Sequence, residues 1–157
     1  MGLEVNVYAR RAEPISIDEI RDHMRKRGSP VTWKYAPLTE HLGPRRWLAG
    51  RFSSEAHPEA EVVIGREDLS VRAREEVADA HRTALSPTQR KALLAGESRY
   101  GLGSEGTPEH EANRLLVQLV DVIAEQSDGL IHDVGEEQFF DREAFRTRYA
   151  AQLRGQR

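Results

Sequence analysis

The stretch Leu3–Gly28, LEVNVYARRAEPISIDEIRDHMRKRG, changes its hydrophobic period once, and that change sets the fold class. Leu3, Val5 and Val7 alternate with Glu4 and Asn6, the period of two that a half-buried strand requires. Pro14 ends that pattern. Ser16 with Glu19 three residues later makes a capping box, and Ile15 and Ile20 take the flanking staple positions, so a helix begins there. Ile17, Ile20 and Met24 form its inner stripe, Arg21, Arg25 and Lys26 its outer one, and Gly28 stops it.

Beyond Gly28 the chain returns to strand. Val31, Trp33 and Tyr35 alternate with Thr32 and Lys34, a third strand is expected over Arg46–Phe52, and Glu61–Ile64 reads as a short fourth. The connections are short enough for antiparallel neighbours, so the first 65 residues read β-α-β-β-β. Trp47 and Phe52 are an odd number of residues apart and cannot share a face of one regular strand, which predicts a bulge near Gly50. Asp68 to Ala84 reads as a charged surface helix with a thin apolar face of Val71, Val77, Ala78 and Ala84. Ser86-Pro87 starts a short helix that ends before Gly96, and Thr107-Pro108 repeats the start signal.

The clearest helix covers 108–127. Ala112, Leu116, Leu119, Val120 and Ile123 recur at a spacing of three and four, with Glu111, Arg114, Gln118, Asp121 and Glu125 on the other face. Gly129 stands at the C′ position, Leu130–Val134 and Gln138–Phe140 form a hairpin, and Asp141 caps a last helix carrying Phe145, Tyr149 and Leu153. The chain is therefore expected to be a single α+β domain over 1–157, with a mostly antiparallel sheet and a C-terminal helix-hairpin-helix.

Composition agrees. The 157 residues are 38% hydrophobic and 31% charged, with a net charge of -3, which fits one soluble globular domain. The absence of cysteine excludes thiol nucleophiles, disulfides and Cys-ligated metal centres. No apolar run approaches the roughly 20 residues of a membrane helix, and Met1–Glu4 begins neither a signal nor a transit peptide, so a cytoplasmic protein is expected. Lys26, Lys34 and Lys91 are the only lysines, leaving 20 arginines among the 23 basic residues. They are spread over helix surfaces and loops, which points to codon usage more than to a recognition code.

Each candidate site has a structural alternative. Gly101-Leu102-Gly103-Ser104-Glu105-Gly106 satisfies G-x-G-x-x-G before Thr107, but the polar residues 95–100 offer no buried strand ahead of it. A flexible loop, or a weak anion-binding nest at Gly101, Gly103, Gly106 and Thr107, is the expectation, without a cofactor. His132 beside Asp133 resembles half of an acid–base pair. In an extended strand the two side chains point to opposite faces, so His132 is expected to be a partly exposed sheet residue. The six histidines show no metal-ligand spacing, no serine-hydrolase, Walker or kinase motif is present, and no catalytic set or cofactor is assigned. Arg10, Arg11, Arg45, Arg46 and Arg51 with Trp33, Tyr35, Trp47 and Phe52 could form a nucleic-acid-binding sheet, yet the negative total charge and missing ribonucleoprotein motif argue for core aromatics instead. The acidic residues Glu55, Glu59, Glu61, Glu136 and Glu137, with Arg45 and Arg46, are candidate contacts to a protein partner.

The closing stretch Ser127-Asp128-Gly129-Leu130-Ile131-His132-Asp133-Val134-Gly135-Glu136-Glu137-Gln138-Phe139-Phe140-Asp141 resembles the end of certain small bacterial α/β proteins, in which a helix leads to GL(I/V)xD, a turn and an aromatic strand. Some of these are immunity proteins of bacterial toxin systems. The resemblance covers about 20 residues and transfers no catalytic residue. It implies a non-enzymatic bacterial binding protein, with an inhibitor that neutralises a cognate toxin as the leading form. The alternatives are a small enzyme or ligand-binding domain using Gly101–Gly106 and His132, and a nucleic-acid-binding sheet.

Overall fold

The structure, a computed structural model describing residues 2–155, is built on one sheet. In chain order the elements are β1 (Glu4–Ala9), α1 (Ile17–Lys26), β2 (Val31–Tyr35), a short 3-10 turn (Glu40–Leu42), β3 (Ala49–Ser54), β4 (Ala60–Asp68), α2 (Val71–Ala80), α3 (Pro87–Leu94), β5 (Ser98–Gly106), α4 (Glu109–Ser127), β6 (Leu130–Asp133), β7 (Gln138–Phe140), α5 (Arg142–Arg148) and α6 (Ala150–Leu153). The strand order is β2-β3-β4-β5-β1-β6-β7, and every neighbouring pair is antiparallel. An α+β architecture with an antiparallel sheet is therefore observed, as the periodicities predict.

The main core lies between one face of the sheet and α4, with α1, α5 and α6 packed around that helix. Val5, Val7, Ile64, Phe52, Leu102 and Ile131 point into it from the strands. The capping box at Ser16 is complete in both directions, and Ile17, Ile20 and Met24 are buried as their spacing requires. Two core groups fix the approach to α1: the indole of Trp47 donates to the Ile15 carbonyl at 2.8 Å, and the Ile15 amide donates to the Tyr100 hydroxyl at 3.0 Å.

Several boundaries differ from expectation, each for a local reason. Trp47 precedes β3 instead of lying in it, and Ala49–Ser54 pairs with both neighbours in continuous register, so there is no bulge at Gly50. Gly50 is required because the Trp33 ring lies over it: a Cβ there would sit 2.3 Å from the indole. β4 runs to Asp68 instead of stopping at Ile64, since it pairs with β5 over its full length, and α2 is correspondingly shorter at both ends. α4 starts at Glu109 with Pro108 as its cap residue, while the Thr107 side chain turns to Glu59. The left-handed residue at the end of α4 is Asp128 (φ 50), not Gly129. Gly129 is instead needed for close approach, as a Cβ there would meet Val7 at 2.6 Å. The final helix breaks at Tyr149 into α5 and α6, although Phe145, Tyr149 and Leu153 all remain buried.

Candidate functional site

The second face of the sheet is divided. Over β1, β6 and β7 it is covered by α2 and α3, with a small core of Tyr8, Ala78, Leu93, Leu130 and Phe139. Over β2 to β5 no helix of the described residues lies on it. Strand alternation presents Thr32, Lys34, Arg51, Ser53, Glu61, Val63, Gly65, Glu67, Arg99, Gly101, Gly103 and Glu105 there, joined at the edge of the covered part by Glu4 and Asn6.

Three glycines floor this open area. Gly101 pairs with Gly65 on one side and Asn6 on the other, and Gly103 pairs with Val63 and Glu4. None of the three has a positive φ. A Cβ at Gly65 or Gly103 would meet nothing closer than a carbonyl at 3.8 or 4.0 Å, and one at Gly101 would touch only the Asn6 amide oxygen at 3.3 Å. Neither backbone conformation nor internal packing demands glycine at Gly65 and Gly103, yet each glycine weakens its strand. What they produce is a smooth depression in the sheet surface, rimmed by Glu4, Asn6, Leu48, Glu67, Arg99 and Glu105. Arg51 reaches Glu105 at 2.6 Å, Arg99 pairs with Glu67 and lies 5.9 Å over the Tyr8 ring, and Leu48 is a large exposed apolar side chain.

This overturns the expected loop at Gly101–Gly106. The six residues are the last two thirds of a central strand, and the backbone groups at Gly101 and Gly103 belong to ladders on both sides. The polarity of residues 95–100 misled because β5 shows only one face to the core, through Tyr100 and Leu102. Gly106 alone is left-handed (φ 85), and its Cβ would strike the Glu59 carbonyl at 1.9 Å; Thr107 donates its amide to that same carbonyl.

His132 and Asp133 do point to opposite faces, but His132 is buried and not partly exposed. Its ring stacks on Phe139 with centroids 4.2 Å apart, and His81 from the end of α2 approaches edge-on at 4.8 Å. Both ring nitrogens are buried without a hydrogen-bond partner. Burial first, and then the nearby His81, lower its pKa from 6.5 to about 4. On the core side, Asp133 accepts a 2.5 Å hydrogen bond from the Tyr149 hydroxyl, and the loss of water around that phenol, with the adjacent carboxylate, raises its pKa.

The other candidates separate. Glu55 and Glu59 lie exposed in the β3–β4 turn and Glu61 at the start of β4, while Glu136 and Glu137 lie in the β6–β7 turn, where Glu136 pairs with Arg148 at 2.9 Å. Both turns are at the same end of the sheet, separated across its width by β5 and β1. Arg45 and Arg46 are exposed ahead of β3, at the opposite end. Trp47 and Phe52 are fully buried in the main core with Trp33 packed on them at 5.5 and 4.7 Å, so these aromatics offer no stacking surface on the open face.

A further cluster is not announced by the sequence. Asp121, assigned to the outer face of α4, is fully buried, and it binds Arg27 at 2.5 Å, Arg142 at 3.0 Å and Arg146. Glu125, one turn on, takes Arg27 at 2.9 Å and Arg142 at 2.6 Å. The periodicity of α4 could place Asp121 opposite the core, but not show that α1 and α5 would close over that side. Among the described residues no group of three or more potential ligands is arranged to hold a metal ion, and no helix is long and apolar enough to cross a membrane. No family model, curated protein or solved structure matches the chain.

Proposed function

We propose that this chain is a protein-binding domain that docks a partner protein on the open half of its sheet, acting without chemistry of its own. The observation that carries this reading is the glycine floor at Gly65, Gly101 and Gly103. Gly65 and Gly103 are mid-strand glycines that neither φ nor a tight contact requires, and this is the pattern left where another backbone approaches closely. The exposed Leu48 and the paired charges of Arg51, Arg99, Glu67 and Glu105 supply an apolar contact and an orienting rim. An inhibitor or immunity protein for a bacterial toxin is the form of this activity that best joins the open face to the C-terminal resemblance.

The experiment is titration of the purified chain with the product of the adjacent gene, then surface labelling of the complex. Binding with protection of Glu67, Glu105 and Lys34 supports the reading. Binding that leaves those side chains fully labelled, or no binding to any encoded neighbour, counts against it.

A further inference from the structure

The row Gly65, Gly101, Asn6, His132 runs straight across β4, β5, β1 and β6 on one face of the sheet, yet only its first three members are uncovered. The last lies under α2 and α3. These two helices pack on each other, and their contact with the sheet runs chiefly from α3 to β6. The only buried residues of α2 are Arg74 and Ala78, and Val71 is exposed. Beneath the pair, among the described residues, lie three polar atoms with no partner: Nδ1 and Nε2 of His132 and Nε of Arg74. Buried polar atoms left without hydrogen bonds disfavour the closed arrangement, and each regains water when the cover lifts. Apart from the small apolar core of Ala78 and Leu93 against Tyr8, Leu130 and Phe139, the segment is held by two hydrogen bonds: Leu69 donates to the Glu97 carbonyl at 3.1 Å, and the Gln89 side-chain amide donates to the Phe139 carbonyl at 3.0 Å.

We propose that α2 and α3 form a proton-released cover over the His132 end of the sheet, which on opening extends the exposed face from Asn6 to His132, Leu130 and Phe139. Closed, the imidazole is neutral, stacked on Phe139 and cut off from solvent. Opened, it meets water and takes up a proton, which bars its return between Phe139 and His81. The charges that act on it come from α2, β5, its own strand and the turn that follows. His81 at the end of α2 and Arg99 on β5 oppose protonation, while Asp133 on its own strand and Glu137 in the next turn favour it. The cover acts on the docking face proposed above, but its test needs no partner, so either idea can fail alone.

The test is native-state hydrogen exchange of the full chain at pH 7.5 and 5.0, corrected for intrinsic exchange rates, with the His132 titration monitored by NMR. With His132 titrating near 6.5 when open and about 4 when closed, the opening of residues 70–95 should rise about 30-fold over that interval. Amides of β4 and β5 should keep their protection. In His132→Phe, which keeps a ring against Phe139, the pH response should vanish. In His81→Gln, at a half-exposed position, the His132 titration should move to higher pH, because a repelling neighbour is gone. The proposal is overturned by pH-independent opening of α2 and α3 in the wild type, by an unchanged response in His132→Phe, by an unmoved titration in His81→Gln, or by loss of β4 and β5 protection in step with the cover.

Discussion

His132 and Asp133 are adjacent in sequence and opposite in circumstance. Asp133 faces the main core and is satisfied by the Tyr149 hydroxyl and the Glu136 amide, whereas His132 faces the smaller core with neither nitrogen bonded. The consequence for stability has a definite sign. The unfolded chain protonates His132 near pH 6.5 and the folded chain near about 4, so this residue's contribution is complete above pH 6.5 and is lost as the pH falls towards 4. The loss amounts to about 3 kcal/mol at the lower limit. Urea unfolding at pH 7.5 and 4.5 should show most of that loss, about 2.5 kcal/mol, in the wild type and a much smaller one in His132→Phe. Asp121 makes the opposite case, a fully buried carboxylate with three guanidinium partners. Asp121→Ala should cost about 3 kcal/mol, since it leaves Arg27 largely buried beside like charges. A change below about 1 kcal/mol, measured by urea denaturation, would show that Arg142 and Arg146 rehydrate at little cost and that Arg27 goes with them.

At the level of elements, local chemistry is readable wherever it acts within one turn or one strand. Ser16 and Glu19 announce α1, Ser86-Pro87 announces α3, and the alternation at Val31–Tyr35 announces β2. Ser16→Ala should lower stability by about 1 kcal/mol through loss of the cap, measured by thermal or urea melting. Features that depend on a distant partner are not readable in this way. The length of β4 is set by pairing with β5, the strand character of Gly101–Gly106 by having neighbours on both sides, and the burial of Gln118 and Asp121 by segments far along the chain. The glycines show the same division. Gly50→Ala should destabilise strongly because Trp33 occupies the space, whereas Gly65→Ala and Gly103→Ala should be neutral or stabilising by up to about 1 kcal/mol. Equal losses at all three positions would remove the reason to assign the open-face glycines a role outside the fold. The candidate site is thus half legible: its glycines stand out in the sequence, but as a loop, and the bare sheet face around them emerges only with the strand order.

The whole molecule is a sheet with unequal faces. One is sealed by α4 and its companions, and the other is sealed only at the β1-β6-β7 end by the thinner α2–α3 layer. That asymmetry gives the chain one side that holds the fold and a second side on which β2 to β5 carry no helix of the described residues. The acidic turns lie at one end of the sheet and Arg45-Arg46 at the other. If the glycine floor is the contact surface, the decisive quantity is the affinity of the cognate partner for wild type and for Gly103→Lys. A lysine there has room for its Cβ and leaves the core untouched, so the fold should be retained by circular dichroism and melting. Binding should weaken by at least about 100-fold, as expected when a charged side chain is forced into the centre of an interface. Equal affinity for the two proteins would contradict the assignment of the open face as the docking surface.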